Sequence, residues 1–226
     1  MKYIYETKDI CRDFIQGRQT VHALKNINIK IEEGTFTILK GTSGSGKTTL
    51  MNILGGLDRP TSGKVLFDNV DITEMSDFDR DMLRRKNIGF VFQSVALISV
   101  MDAYENVEFG LRVSGANRKE WKQMVGNSLV RVGLEKRMHH KPFQLSGGEQ
   151  QRVAIARAIA NKPRIVFADE PTAELDTHLG LKIVKLFKQL VNDAGLTILM
   201  TTHDPSMIEI ADHVISLEDG EVIDER

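Results

Sequence analysis

Gly41-Thr42-Ser43-Gly44-Ser45-Gly46-Lys47-Thr48 satisfies the pattern G-x-x-x-x-G-K-[ST]. Before it, Phe36 to Leu39 reads as an apolar strand; after it, Leu50, Ile53, Leu54 and Leu57 keep the i, i+3, i+4, i+7 spacing of a helix. That strand–loop–helix context is what a phosphate site requires. Glycines let backbone N–H groups wrap a β-phosphate, Lys47 reaches the β- and γ-phosphates, and the Thr48 hydroxyl is a ligand for Mg2+. Thr49, next in line, joins the set expected to hold a nucleotide. A glycine-rich turn without a ligand is the competing reading, and the flanking strand and helix weigh against it.

The acidic partner of such a loop stands far downstream. Ile165-Val166-Phe167-Ala168-Asp169-Glu170 is an apolar strand ending in two carboxylates. Asp169 suits a metal-facing role, holding Mg2+ through water, and Glu170 suits a general base that orients or deprotonates an attacking water. An exposed strand-end pair is the alternative, but loop and carboxylates belong to one phosphoryl-transfer apparatus. His203 follows the strand Leu196 to Met200 and Thr201-Thr202, where a wound sheet presents its active edge, so it is expected near the γ-phosphate. Gln93 also ends a strand, Ile88 to Phe92, within reach of Mg2+ or the water. The remaining histidines (His22, His139, His140, His178 and His213) read as ordinary surface or core residues.

Bulk properties exclude several classes. The 226 residues allow one good core, and 41% hydrophobic with 27% charged residues is ordinary for a soluble globular chain. A net charge of −1 argues against a general nucleic-acid binder, which carries a basic excess. Cys11 alone makes neither an internal disulfide nor a zinc site, which fits a reducing cytoplasm. Met1 to Glu6 lacks the apolar core of a signal peptide, and no apolar run approaches the length of a membrane span, so the chain is not expected to cross a membrane by itself.

Along the chain, residues 1 to about 40 read as strands, with Ile27, Ile29 and Ile31 alternating with polar partners in an antiparallel layer. Lys64 to Phe67 is a short strand and Asp77 to Arg85 a charged helix. From about Ser94 to Lys162 the pattern is helical. After Pro163 strands and helices alternate again, with Leu179, Ile183, Leu186, Phe187 and Leu190 on one helix face, which argues for a mainly parallel wound sheet. Within the helical stretch stands Leu145-Ser146-Gly147-Gly148-Glu149-Gln150-Gln151-Arg152. Locally it is a capping box, Ser146 with Glu149, before a small apolar run. Two glycines in the first turn are costly there, so a bare helix N-terminus open to a phosphate is the sharper reading.

Taken together, the phosphate loop, this octet upstream of the acidic strand, Gln93, Pro171-Thr172-Ala173-Glu174-Leu175-Asp176 and His203 resemble the nucleotide-binding subunit of an ABC transporter, over about Phe14 to Gly220. The resemblance implies an α/β fold: a P-loop NTPase with a RecA-like core, an N-terminal antiparallel β subdomain and an inserted α-helical subdomain. It implies one ATPase domain over 1–226, with 1–93 and 163–226 forming the β layer and core and 94–162 the helical unit. It implies ATP and Mg2+ as ligands, a homodimer on ATP binding and an integral-membrane permease as partner. The implied location is peripheral, on the cytoplasmic face of the cell membrane, with no nucleic acid. By residue, Phe14 matches the aromatic that stacks on adenine, Gln93 the lid glutamine, Asp176 the acid of the loop that crosses the dimer, and His203 the switch histidine. Ser146, Gly147, Gly148 and Glu149 of one chain would face the γ-phosphate held by Lys47 of the other.

Leu54 to Gly63, together with Phe90-Val91-Phe92-Gln93 and Glu105-Asn106-Val107, resembles the branch of macrolide-export, lipoprotein-release, antimicrobial-peptide-resistance and cell-division cassettes. Thr48 stands where serine is commoner and keeps the hydroxyl; Ala173-Glu174 stands where glycine-asparagine is frequent. Val95 to Met101 is apolar for a loop and is expected to contribute a docking groove for the permease. Two other readings remain: an ATPase driving a transmembrane regulator without transport, and a soluble ABC ATPase of DNA repair or translation, which would need insertions that 226 residues do not accommodate.

Overall fold

The computed structural model describes residues 2–226. The N-terminal strands β1 (Tyr3–Gln16), β2 (Gln19–Ile27) and β3 (Lys30–Glu32) join β5 (Ser62–Phe67) and β6 (Val70–Asp71) in an antiparallel sheet. The expected alternation over Ile27, Ile29 and Ile31 does not form one strand. The chain leaves the strand at Asn28 and Ile29, between β2 and β3, and the long β1 pairs β2 with its second half and β3 with its first.

The second sheet contains β4 (Phe36–Lys40), β7 (Ile88–Val91), β8 (Ile165–Ala168), β9 (Thr197–Thr202), β10 (His213–Glu218) and β11 (Glu221–Glu225). Its order is β11-β10-β4-β9-β8-β7, parallel except for the β10–β11 hairpin. The helices are α1 (Lys47–Leu54), α2 (Asp77–Asn87), α3 (Ala103–Ser114), α4 (Trp121–Arg131), α5 (Gly147–Ile159), α6 (Thr177–Ala194) and the short α7 (Pro205–Ile208).

Period-two alternation of the core strands assigns the two faces. Ile38, Val166, Ala168, Ile198 and Met200 pack with α3, α4, α5 and α6, whereas Leu39, Ile165, Phe167 and Leu199 pack with α1 and the antiparallel sheet. At about 25 cal/mol per Å2, each fully buried Ile, Leu or Phe contributes roughly 1.5–3 kcal/mol, and both faces are filled with them. The topology therefore brings the C-terminal ends of β4, β9 and β8 side by side, with Lys40 opposite Thr202 and Ala168 opposite Met200.

The stretch from Ser94 is a loop before it is a helix: α3 begins only at Ala103. Buried Asn106 holds that loop through Ile98 and the carbonyl of Met101. Arg157 on α5 donates to the carbonyls of Ala96 (2.7 Å) and Val95 (3.1 Å), and burial lowers its pKa. Leu97 packs on the core, whereas Val100 is 74% exposed. Leu57, expected on the helix face, lies beyond the end of α1 and is exposed. Among the described residues no helix is long and apolar enough to cross a membrane.

Candidate functional site

A cleft of about 590 Å3 opens at the edge where β4, β8 and β9 end, lined by Ser43, Gly44, Gly46, Lys47, Thr48, Thr49, Gln93, Asp169 and Glu170. Gly46 caps α1 at φ 102°, a left-handed conformation that favours glycine, and a Cβ there would stand 2.7 Å from the Ala23 carbonyl oxygen. Ala23 comes that close because β2 carries a bulge: Arg12 opposes Leu24 while Asp13 opposes His22, which leaves Ala23 over.

Lys47 is buried, 5% exposed, and its Nζ donates to the carbonyls of Gly41 (2.9 Å) and Thr42 (3.0 Å). It also lies 3.8 Å from Glu170 Oε1, and Glu170 Oε2 lies 3.6 Å from His203 Nδ1. A buried ammonium surrounded mainly by carbonyl dipoles is a strong attractor for an anion entering the cleft. Glu170 itself is held at φ 43°, a strained conformation for a non-glycine residue that costs on the order of 1–3 kcal/mol. Its N–H donates to Thr201 Oγ1, whose hydroxyl in turn donates to Asp169 at 2.7 Å. Strand β9 thus holds the Asp169 carboxylate and the Glu170 backbone through one threonine.

Thr48 Oγ1 donates to the other Asp169 oxygen at 2.9 Å, and Gln93 lines the same cleft. This all-oxygen set, with one carboxylate, fits Mg2+, which prefers oxygen ligands, keeps several waters and takes substrate phosphates rather than a full protein cage.

Other expected residues stand elsewhere. Ser146 caps α5: its Oγ accepts from Glu149 N, and Glu149 Oε2 accepts from Ser146 N, so the capping box is complete. Those hydrogen bonds, backbone first, hold the Glu149 carboxyl below its usual pKa. None of Ser146, Gly147, Gly148 or Glu149 lines the cleft of its own chain. Asp176 caps α6 by accepting from Leu179 N, and the preceding Leu175 packs by Gly147, so the expected crossing loop lies against the octet. His203 lies in a neighbouring cleft with Gly41 and Thr42. Phe14 does not line the phosphate cleft; it pairs across β1–β2 with Val21, which does.

Sequence reasoning missed Thr201, Ala23, and Gly220, whose N–H donates to the Ser45 carbonyl behind the loop. The buried Thr201-Thr202 pair at the end of an otherwise apolar strand was the available signal for the first; the other two depend on long-range pairing.

Comparisons with known proteins agree with this geometry. A model of the ABC transporter family matches residues 24–173. The lipoprotein-releasing system ATP-binding protein LolD of Syntrophotalea carbinolica is 43% identical over 96% of this chain and 96% of its own length. The macrolide export ATP-binding/permease protein MacB of Syntrophobacter fumaroxidans is 44% identical over 96% of this chain, which spans 31% of that longer protein. The dimeric post-hydrolysis structure of the cassette MJ0796, from Methanocaldococcus jannaschii, bound to ADP and Pi, superposes with a TM-score of 0.88 at 42% identity, covering 98% of this chain and 97% of that one. With the phosphate loop, the acid-tipped strand and the capped octet on one α/β scaffold, the chain belongs to the ABC transporter family, as an ATP-binding and ATP-hydrolysing subunit that powers a membrane permease.

Proposed function

We propose that this chain hydrolyses ATP only as half of a head-to-tail homodimer, in which the octet of one protomer closes over the phosphates held by Lys47 of the other. The observation that carries this reading is the octet itself. Gly147 and Gly148 have no left-handed backbone, and a Cβ on either would meet its own chain only at ordinary distances, 3.5 Å and 3.8 Å. Nothing inside the protomer asks for glycine there, whereas close approach of a second molecule's anion to bare N–H groups does.

In that pair, entering phosphates replace the Gly41 and Thr42 carbonyls as partners of Lys47. Glu170 accepts a proton from the water that attacks the γ-phosphorus in line, and the bridging oxygen leaves with ADP. His203 holds the Glu170 carboxylate on the side away from Lys47. Thr48, Asp169 and Gln93 would hold Mg2+, which when bound neutralises charge on the phosphate oxygens. Residues 94–162 act as one helical unit that carries the octet, against the β layer and RecA-like core of 1–93 and 163–226.

The similarity to LolD and MacB supports a permease that exports or extracts a lipoprotein, a peptide or a drug, with this subunit on the cytoplasmic face of the membrane. The pinned loop after Gln93, with Val100 outward, is the contact to that permease. Glu170→Gln should slow turnover by about 10^2- to 10^4-fold, the usual contribution of a general base. With ATP it should elute as a dimer on size exclusion. A variant that turns over at the parental rate, or stays monomeric with saturating ATP, overturns the reading.

A further inference from the structure

We infer that Arg12 is a positioning residue for the nucleotide base: clamped by Asp58, it backs one face of the Phe14 ring, and the other face takes the adenine. The inference rests on the reading of Phe14 as the base-stacking aromatic. Arg12 Cζ stands 4.4 Å from the Phe14 ring centroid, a cation–π arrangement. The guanidinium is held in plane by a bidentate pair, Nε to Asp58 Oδ2 and Nη2 to Asp58 Oδ1, both 2.9 Å. Phe14 is 37% exposed, leaving ring surface for a ligand, and its cross-strand neighbour Val21 lines the phosphate cleft. Residues opposite one another in an antiparallel pair share a face, so the ring stands on the cleft side of the hairpin.

Asp58 ties this platform to the phosphate grip. Its N–H and that of Leu57 donate to the Asn52 carbonyl at the end of α1. Thr61 N donates to the Cys11 carbonyl at 2.8 Å, and Asp13 N donates to Thr61 Oγ1 at 2.9 Å. The buried Tyr5 hydroxyl donates to the Leu54 carbonyl. One end of α1 therefore carries Lys47 and Thr48, and the other is stitched to the strand that carries Arg12 and Phe14. With eight residues the helix is about 12 Å long, a rigid spacer between base and phosphates. The pair is mostly buried and bidentate, a geometry that fixes the orientation of the guanidinium plane.

The test compares ATP with tripolyphosphate, which has three linked phosphates and no base, by calorimetry and as a competitive inhibitor of ATPase activity in the full chain. Arg12→Met should weaken ATP about three- to tenfold, raising KM with little change in kcat, and leave tripolyphosphate within about twofold. Arg12→Lys should not restore ATP affinity, because it has charge without the planar fork. Asp58→Asn should show the same split more weakly, and it carries the test if Arg12→Met melts early. Equal losses for ATP and tripolyphosphate would reduce Arg12 to a structural clip, and no loss for either would overturn the inference. Phe14→Ala separates the two readings. If it leaves ATP affinity unchanged, the base-stacking role fails and the Arg12 role with it; if it weakens ATP while Arg12→Met does not, only the Arg12 role fails.

Discussion

The N-termini of α1 and α5 both start in glycine-bearing turns, and the protomer accounts for them differently. At α1, Gly46 is demanded by its own chain: φ is 102° and the Ala23 carbonyl presses on the site of a Cβ. The cation beside it is buried, and the carboxylates that complete the cleft follow β8, with the Asp169 carboxylate and the Glu170 backbone held by Thr201 of β9. At α5, Ser146 and Glu149 finish the cap, yet Gly147 and Gly148 have room for side chains and cost up to about 1 kcal/mol each relative to alanine. The first turn is explained within the chain; the second is not, and the proposed reading places its reason in the other protomer.

Substitutions that treat the two turns separately probe this contrast. The largest effect belongs to Lys47→Ala, which removes the charge partner of the phosphates and should weaken ATP binding by about 10^2-fold or more by calorimetry. Retained affinity would mean that the α1 turn is not the phosphate grip. Gly148→Asp should bring a Cβ and a negative charge to the α5 turn. ATP affinity of the isolated chain should stay within about twofold, while turnover falls by about 10^2-fold. A matching loss of binding would place the octet in its own protomer's site and erase the distinction. Val100→Asp, on the loop between the two regions, should change the ATPase of the isolated subunit least, by less than about twofold, and abolish recovery of the permease in a pull-down. Unchanged recovery would remove that loop from the docking surface.

How much of this was legible depended on sequence distance. The phosphate loop, its strand and its helix are contiguous, so the motif and its context could be read together, and the Ser146–Glu149 cap is equally local. The acid-tipped strand was legible because a buried β-strand announces itself by its apolar run. Hidden from the sequence were the long-range pairings: the β2 bulge that delivers Ala23 to Gly46, Thr201 linking the Asp169 carboxylate to the Glu170 backbone from a neighbouring strand, and Arg12 meeting Asp58 across 46 residues. The alternation over Ile27, Ile29 and Ile31 misled because the chain leaves the strand at Asn28 and Ile29, between β2 and β3, without disturbing the hydrophobic pattern. The apolar loop after Gln93 was legible as a run, but not how it is held. Leu97 packs on the core and the loop carbonyls are held by Asn106 and Arg157, while Val100 stays 74% exposed.

Heterologous cross-linking puts the central claim to the most direct test. Cys11 is the only cysteine, and its Sγ sits 3.3 Å from the Asn26 side-chain oxygen, so Cys11→Ser retains a hydrogen-bonding group and gives a cysteine-free background. Into that background, with Glu170→Gln to stop turnover, Ser43→Cys and Ser146→Cys are introduced in two separate chains, which are then mixed and oxidised. A Ser43→Cys to Ser146→Cys bond between chains, dependent on ATP, is the predicted result. Cross-links only between like chains, or none with ATP, would contradict a shared site.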